Sequence, residues 1–282
     1  MGVKILNGFK KYIYLSGLSI MLVSKVGAQT VEFGLYGGVS NYMGDVSEQQ
    51  MKWDQTHPSV AVVGRYNISP RLTFKGFAGY GKVSGADSLA KLPANRIRNT
   101  SFFSDIYEFS VQMEYNLVKN NLTSRGRKPF MPYLFGGVGI FHFNPKTNYM
   151  GREYELQPLG TEGQGTTSYN DRKKYNLTTL CIPIGIGIKK KVTNYLSFGI
   201  EAGMRFTFTN YLDDVGGLYA NTQVVERAYG PVAGALSNRT GMQMEDKRRT
   251  TTAGLVKNDM YFMAGITIAY VFHPRQDICP KF

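Results

Sequence analysis

The stretch LSFGIEAGMRFTFT, Leu196 to Thr209, alternates without a break. Leu196, Phe198, Ile200, Ala202, Met204, Phe206 and Phe208 fall on one side. Ser197, Gly199, Glu201, Gly203, Arg205, Thr207 and Thr209 fall on the other. A period of two sets these residues on opposite faces of a β-strand, whereas every turn of a helix would mix Glu201 and Arg205 into the apolar set. Strands of soluble sheets rarely run past about ten residues. A tilted strand that crosses a bilayer needs roughly 9–11 residues plus its ends, apolar toward lipid and polar toward the interior. Taken alone, this stretch leaves two readings open: a membrane-crossing strand, or a long amphipathic strand of a soluble β-sandwich.

The rest of the chain repeats the pattern. Val31 to Ser40 turns Val31, Phe33, Leu35 and Val39 one way and Glu32 the other. Ser59 to Ile68 sets Val60, Val62, Tyr66 and Ile68 opposite Ala61, Arg65 and Asn67, and a Ser69-Pro70-Arg71 turn follows. Leu72 to Gly81 turns Phe74, Ala78 and Tyr80 outward and Thr73 and Lys75 inward. Tyr107 to Leu117 alternates its apolar residues with Glu108, Ser110, Gln112, Glu114 and Asn116. Phe130 to Phe143 is also a strand, but it is glycine-rich and its faces stay unassigned. Leu177 to Lys191 sets four isoleucines against Pro183, Gly185, Gly187 and Lys189. Pro183 lacks a ladder donor and predicts a bulge or irregular edge. Met260 to Phe272 completes eight strands.

The connections decide between the two readings. The second and third strands, and the sixth and seventh, are joined by a few residues, and a basic linker of about a dozen joins the fourth to the fifth. The other gaps are longer, so long and short connections alternate along the chain. An up-and-down barrel of an outer membrane has this asymmetry, with short turns toward the periplasm and long loops outside. The fold expected is all-β: an eight-stranded antiparallel up-and-down transmembrane β-barrel. Its inward set holds four acids (Glu32, Glu108, Glu114, Glu201) and four bases (Arg65, Lys75, Lys189, Arg205). A barrel of eight strands is just wide enough for side chains to fill it, so these charges predict a packed polar lumen rather than a pore.

The ends and the composition agree with export. Lys4, Lys10 and Lys11 precede an apolar run from Tyr12 to Ser24, and Val26-Gly27-Ala28 matches a small-residue cleavage site. Residues 1–28 are therefore expected to be a cleaved signal peptide, 29–273 the barrel and 274–282 a periplasmic tail. The chain has 32 Gly, 19 Tyr and 17 Phe but two Cys, which suits a glycine- and aromatic-rich β-architecture rather than a disulfide scaffold. Its formal net charge of +13 falls by the four lysines of the signal. With no nucleic-acid motif present, that balance points to anionic headgroups or an acidic partner.

Few constellations suggest chemistry. Gly160 to Thr167 imitates a phosphate loop in its glycine spacing, but Thr166 stands where the lysine belongs, so a tight loop using glycine dihedrals is the better reading. His57 and His142 near the outer rim, with Asp45, Asp105, Asp213 and Asp214, would be the makings of a rim enzyme acting on lipid or peptide. No serine or second histidine stands at a recognisable spacing, and loop capping accounts for these residues. Asp213-Asp214 falls short of a calcium loop. Cys181 lies in the outer half of its strand, about 23 Å from the periplasmic end at the usual rise and tilt. An internal bridge to Cys279 would need α-carbons within about 7 Å.

Several stretches carry a family likeness. Asn41-Tyr42-Met43-Gly44-Asp45, Ser104 to Glu108, Tyr133 to Gly139, Phe143-Asn144-Pro145-Lys146, Leu156 to Gly165, Tyr211-Leu212-Asp213-Asp214-Val215 and the Cys279-Pro280-Lys281-Phe282 ending form the set. With them the chain resembles the PorG-like outer-membrane proteins of the Bacteroidota type IX secretion system. That resemblance implies a non-enzymatic barrel without cofactor. Such a barrel tethers the periplasmic ring of a PorK-like lipoprotein and a PorN-like ring protein to the outer membrane, for protein export and, in some species, gliding motility. The docking residues expected on the periplasmic side are Lys119, Arg125, Arg127, Lys128, Cys279, Pro280, Lys281 and Phe282. Two fates for Cys279 stay open: an intermolecular disulfide with the lipoprotein, favoured by an oxidising compartment and nearby Lys281, and a buried free thiol.

Overall fold

The computed structural model describes residues 30–47, 51–118, 130–250 and 258–272. Eight long strands form the wall: β1 (Thr30–Met43), β2 (His57–Asn67), β3 (Leu72–Ala86), β4 (Ser101–Asn116), β5 (Met131–Tyr149), β7 (Thr178–Lys191), β8 (Leu196–Thr207) and β9 (Met260–Phe272). A short strand, β6 (Arg152–Glu155), only extends β5 as a hairpin. Every neighbouring pair is antiparallel, and β4 pairs with β5 to close the sheet. The wall is an eight-stranded up-and-down β-barrel.

Period-two alternation fixes its two faces. Leu35, Val62, Phe109, Ile186, Ile200 and Ile268 are all half exposed or more on the outside. Tyr66, Phe74, Tyr115, Tyr195, Tyr270 and Phe272 ring the end of the short turns, and Tyr80, Tyr107, Phe206 and Phe208 the other end. An apolar band between two aromatic girdles is the exterior of a barrel that crosses a membrane.

Inside, all eight expected charges are buried, and each is held by hydrogen bonds, five of them in one ion-pair network. Arg65 donates to Glu114 at 2.8 Å and to Glu201 at 3.3 Å. Lys75 donates to both Glu201 oxygens at 2.7 and 2.8 Å, and Lys189 to Glu114 at 2.7 Å. Arg205 pairs with Glu108 at 3.2 Å, while Glu32 accepts from Asn67 and Ser197. Tyr133 and Tyr261 add hydroxyl donors to Glu201 and Glu108. The lumen is filled and polar.

Two details differ from the expectation. Pro183 causes no bulge: the β5–β7 register is the same on either side, and only the pairing near Gly137–Val138 lapses. The missing N–H removes a rung without displacing the strand. Several strands also run well beyond the girdles, β3 to Ala86 and β5 to Tyr149, because the long connections fold onto them. The unassigned faces of β5 are now fixed. Tyr133, Phe135, Phe141 and Phe143 point inward and Leu134, Val138 and Ile140 outward, so both faces are apolar. Cys181 is a buried free thiol under Tyr261. The expected signal segment 1–28, Cys279 and the tail 274–282 lie outside the described residues.

Candidate functional site

The described parts of the long connections fold into a cap over the barrel mouth opposite the short turns. Four short helices belong to it: α1 (Pro93–Arg98), α2 (Leu156–Leu159), α3 (Thr222–Tyr229) and α4 (Pro231–Ser237). Pro93 and Pro231 start two of them where a missing N–H costs nothing, and Asn221 caps α3 by accepting from Gln223 and Val224 N–H. Val46, Leu156, Leu212, Val215 and Leu236 from the cap share one apolar core with Phe102, Phe141, Phe143 and Tyr261 of the barrel. Burial of that core seats the cap on the lumen layer below.

Three of the stretches quoted for the family likeness meet here: Asn41–Asp45, Leu156–Gly165 and Tyr211–Val215. They are held by two buried acid-rich joints. In the first, Tyr42 Oη lies 2.5 Å from Asp213 Oδ2 and 3.0 Å from Asp259 Oδ1. The N–H groups of Val46 and Val215 donate to Asp213, and that of Leu212 to Asp259. Gly44 is obligatory beside this joint, because a Cβ there would collide with Tyr42 Oη and Asp259 Oδ1. In the second, Asp214 accepts from Thr161 and from Tyr175, and Glu162 accepts from Gly216 and Gly217 N–H. Arg249 bridges Thr161 Oγ1 and the Asp214 carbonyl and lies 3.6 Å from both carboxylates. Burial pushes the Glu162 carboxyl up to about 7 against the pull of Arg249.

The loop that imitates a phosphate cradle is part of this second joint. Gly160, Gly163 and Gly165 all take positive φ, so glycine dihedrals build the turn as expected. A cavity of about 260 Å³ opens beside it, lined by Glu162, Gln164, Arg172, Tyr211 and Gly217 among others.

The makings of a rim enzyme do not assemble. His57 pairs with Ser84 at 2.7 Å, whereas His142 faces outward from β5 and pairs with Thr178 at 2.9 Å. Asp105 accepts from Tyr80 on the outer wall, and Asp213 and Asp214 are committed to the two joints. Among the described residues, no group of three or more His, Cys, Asp or Glu is placed to hold a metal ion.

Of the periplasmic set, Lys119, Arg125, Arg127, Lys128, Cys279, Pro280, Lys281 and Phe282 all lie outside the described residues. The elements flanking them are described. β4 ends at Asn116, beside Tyr133 of β5, and β9 ends at Phe272 against Val31, all at the short-turn end of the barrel. The joints, by contrast, were not anticipated. Asp213 lies 171 positions from Tyr42, and no local pattern announces such a pairing.

A family described as a domain of unknown function, DUF6089, matches residues 10–232. No curated protein matches the sequence. Among solved structures, Neisserial surface protein A is similar at 10% identity and a TM-score of 0.38, covering 88% of this chain and 98% of that one. The outer membrane protein OprG of Pseudomonas aeruginosa gives 9% and 0.38, with 89% and 98% covered. A major outer membrane protein of Thermus thermophilus gives 12% and 0.37, with 88% and 100% covered.

Proposed function

This chain belongs to the DUF6089 family, and from that premise and its fold we propose that it is a non-enzymatic structural component of an outer membrane. Its finer role, on this reading, is to anchor the periplasmic PorK-like and PorN-like ring of a type IX secretion system. The observation that carries the structural role is the lumen. Side chains fill it from wall to wall through the Glu114 and Glu201 networks, and the cap packs on top, so binding and anchoring surfaces must lie at the ends.

The periplasmic end supports the finer role. β4 and β9 both end on this side, at Asn116 and Phe272, so on this reading docking falls to the connection holding Lys119, Arg125, Arg127 and Lys128 and to the Cys279 tail. A basic connection of this kind suits an acidic periplasmic partner. A disulfide from Cys279 to the lipoprotein would make that docking covalent. Solubilising the barrel in mild detergent and identifying what co-purifies tests the reading. Ring proteins are expected with the natural chain and should be lost when the four basic residues become alanine. Non-reducing electrophoresis then separates the two fates of Cys279. A heavier band that collapses with reductant and vanishes in Cys279→Ser supports the bridge, and a monomer throughout removes it. Recovery of the barrel without any ring protein would defeat the anchor role.

A further inference from the structure

The joint around Tyr42 contains more acceptors than donors. A tyrosine hydroxyl carries one proton, yet Tyr42 Oη is within hydrogen-bond distance of two carboxylates. Three donors converge on Asp213: Tyr42 O–H, Val46 N–H and Val215 N–H. Both of its oxygens are thus occupied as acceptors, which marks Asp213 as the anion. Asp259 differs. Its Oδ2 accepts from Leu212 N–H, while its Oδ1 faces, among the described residues, the phenolic oxygen. That contact is a hydrogen bond only if Asp259 brings the proton.

We propose that Asp259 is a proton-binding residue, carrying a proton on Oδ1 at neutral pH and donating it to Tyr42 Oη, which donates in turn to Asp213, so that the bound proton latches the cap to the barrel. The relay ties β1, the 212–215 turn and the start of β9 together. Asp259 is also clasped through its backbone: its carbonyl accepts from Thr207 Oγ1 at 2.7 Å and its N–H donates to Thr209.

The surrounding charges call for such a proton. Asp45, on the turn after β1, adds a third carboxylate to the joint. Arg98 of α1 is the cation that bears on Asp213, but it is already bidentate to Asp87 and donates also to the Asp45 carbonyl. Among the described residues, one shared guanidinium stands against the two buried carboxylates of Asp213 and Asp259. Burial and then Asp45 raise Asp213, and burial and then Asp213 raise Asp259 well above the ordinary range, so the pair favours holding one proton between them.

The closed cap therefore binds a proton that the opened cap, with its carboxyls in water, releases. Closure is favoured most in acid and weakens as pH rises from the ordinary carboxylate range; the loss levels off once the closed state has also ionised.

Hydrogen exchange followed by mass spectrometry on the detergent-held barrel reads this directly. From about pH 5 to about pH 8, protection of the 208–218 turn, corrected for intrinsic exchange, should fall by up to about tenfold per pH unit, the limit for one linked proton. In a Glu162→Gln background, where the other raised carboxyl that holds this turn no longer titrates, Asp259→Asn should keep the turn near its acid protection throughout, because the amide N–H donates to Tyr42 Oη at every pH. A flat profile in the natural chain would overturn the proposal, and so would a variant that follows the natural slope. If the variant fails to insert, infrared spectroscopy of the natural chain decides. A carboxylic-acid carbonyl band at neutral pH that persists in Glu162→Gln and disappears in alkali supports the latch, and its absence overturns it.

Discussion

Inside the barrel, four buried glutamates stand among five buried cations: Arg65, Lys75, Lys189, Lys191 and Arg205. Among the described residues of the cap, six buried acids (Asp45, Asp87, Glu162, Asp213, Asp214 and Asp259) stand among two buried cations, Arg98 and Arg249. The two layers touch through one apolar core, yet they hold their charges differently. A lumen charge cannot reach water unless the hydrogen-bonded wall comes apart, so most are neutralised by fixed counterions, with Glu32 held by Asn67 and Ser197 instead. A cap charge can reach water when a loop lifts. There, backbone N–H groups and bound protons take the place of cations, and the result is a joint that can open. Permanent pairing suits the scaffold, and a bound proton suits the joint proposed to open.

Removing one acid from each layer sharpens the contrast. Glu114 serves Arg65 and Lys189 and sits 3.9 Å from Lys75. Glu114→Gln should cost about 3–5 kcal/mol, the usual penalty for leaving buried charges without their counterion. The urea midpoint for refolding into lipid vesicles measures it, and a loss near zero would remove the distinction between the layers. The wall itself should respond nearly as strongly. Ile200 faces lipid between Ile188 and Ile266, so Ile200→Arg should cost about 2–4 kcal/mol in the same assay. The smallest effect is expected in the cap. Gln at position 162 can still accept from Gly216 and Gly217, and Arg249 keeps Asp214. Glu162→Gln should therefore cost about 1 kcal/mol near neutral pH. A loss as large as that of Glu114→Gln would show that the cap, too, depends on fixed ion pairs.

The wall was legible in the sequence because its information is local. Leu196 to Thr209 states its two faces residue by residue, and the same alternation elsewhere names eight of the nine described charged residues buried in the barrel, missing only Lys191 at the end of β7. β5 was not legible. Tyr133, Phe135, Phe141 and Phe143 fill the lumen while Leu134, Val138 and Ile140 meet lipid, so polarity does not alternate. The cap was the least readable part. Asp213 and Asp214 look like an ordinary polar loop, yet they serve different joints. Asp213 turns to Tyr42 and Asp259, while Asp214, at a φ of 62°, turns to Thr161, Tyr175 and Arg249. These partners come from distant parts of the chain and are adjacent only once the barrel has closed. The glycines of the 160–165 turn signalled backbone geometry, but not that the turn would be buried under α3 and the 212–217 loop.

The central claim is a membrane-crossing barrel with its long connections outside, and labelling of intact cells tests it most directly. Met150 and Gly151 form the exposed tip of the β5–β6 hairpin on the cap side. A cysteine-bearing tag inserted between them should react with a membrane-impermeant thiol reagent on intact cells. The same tag placed after Ser124, in the connection between β4 and β5, should react only after the outer membrane is permeabilised. The reverse pattern, or equal labelling of both before permeabilisation, would contradict the account.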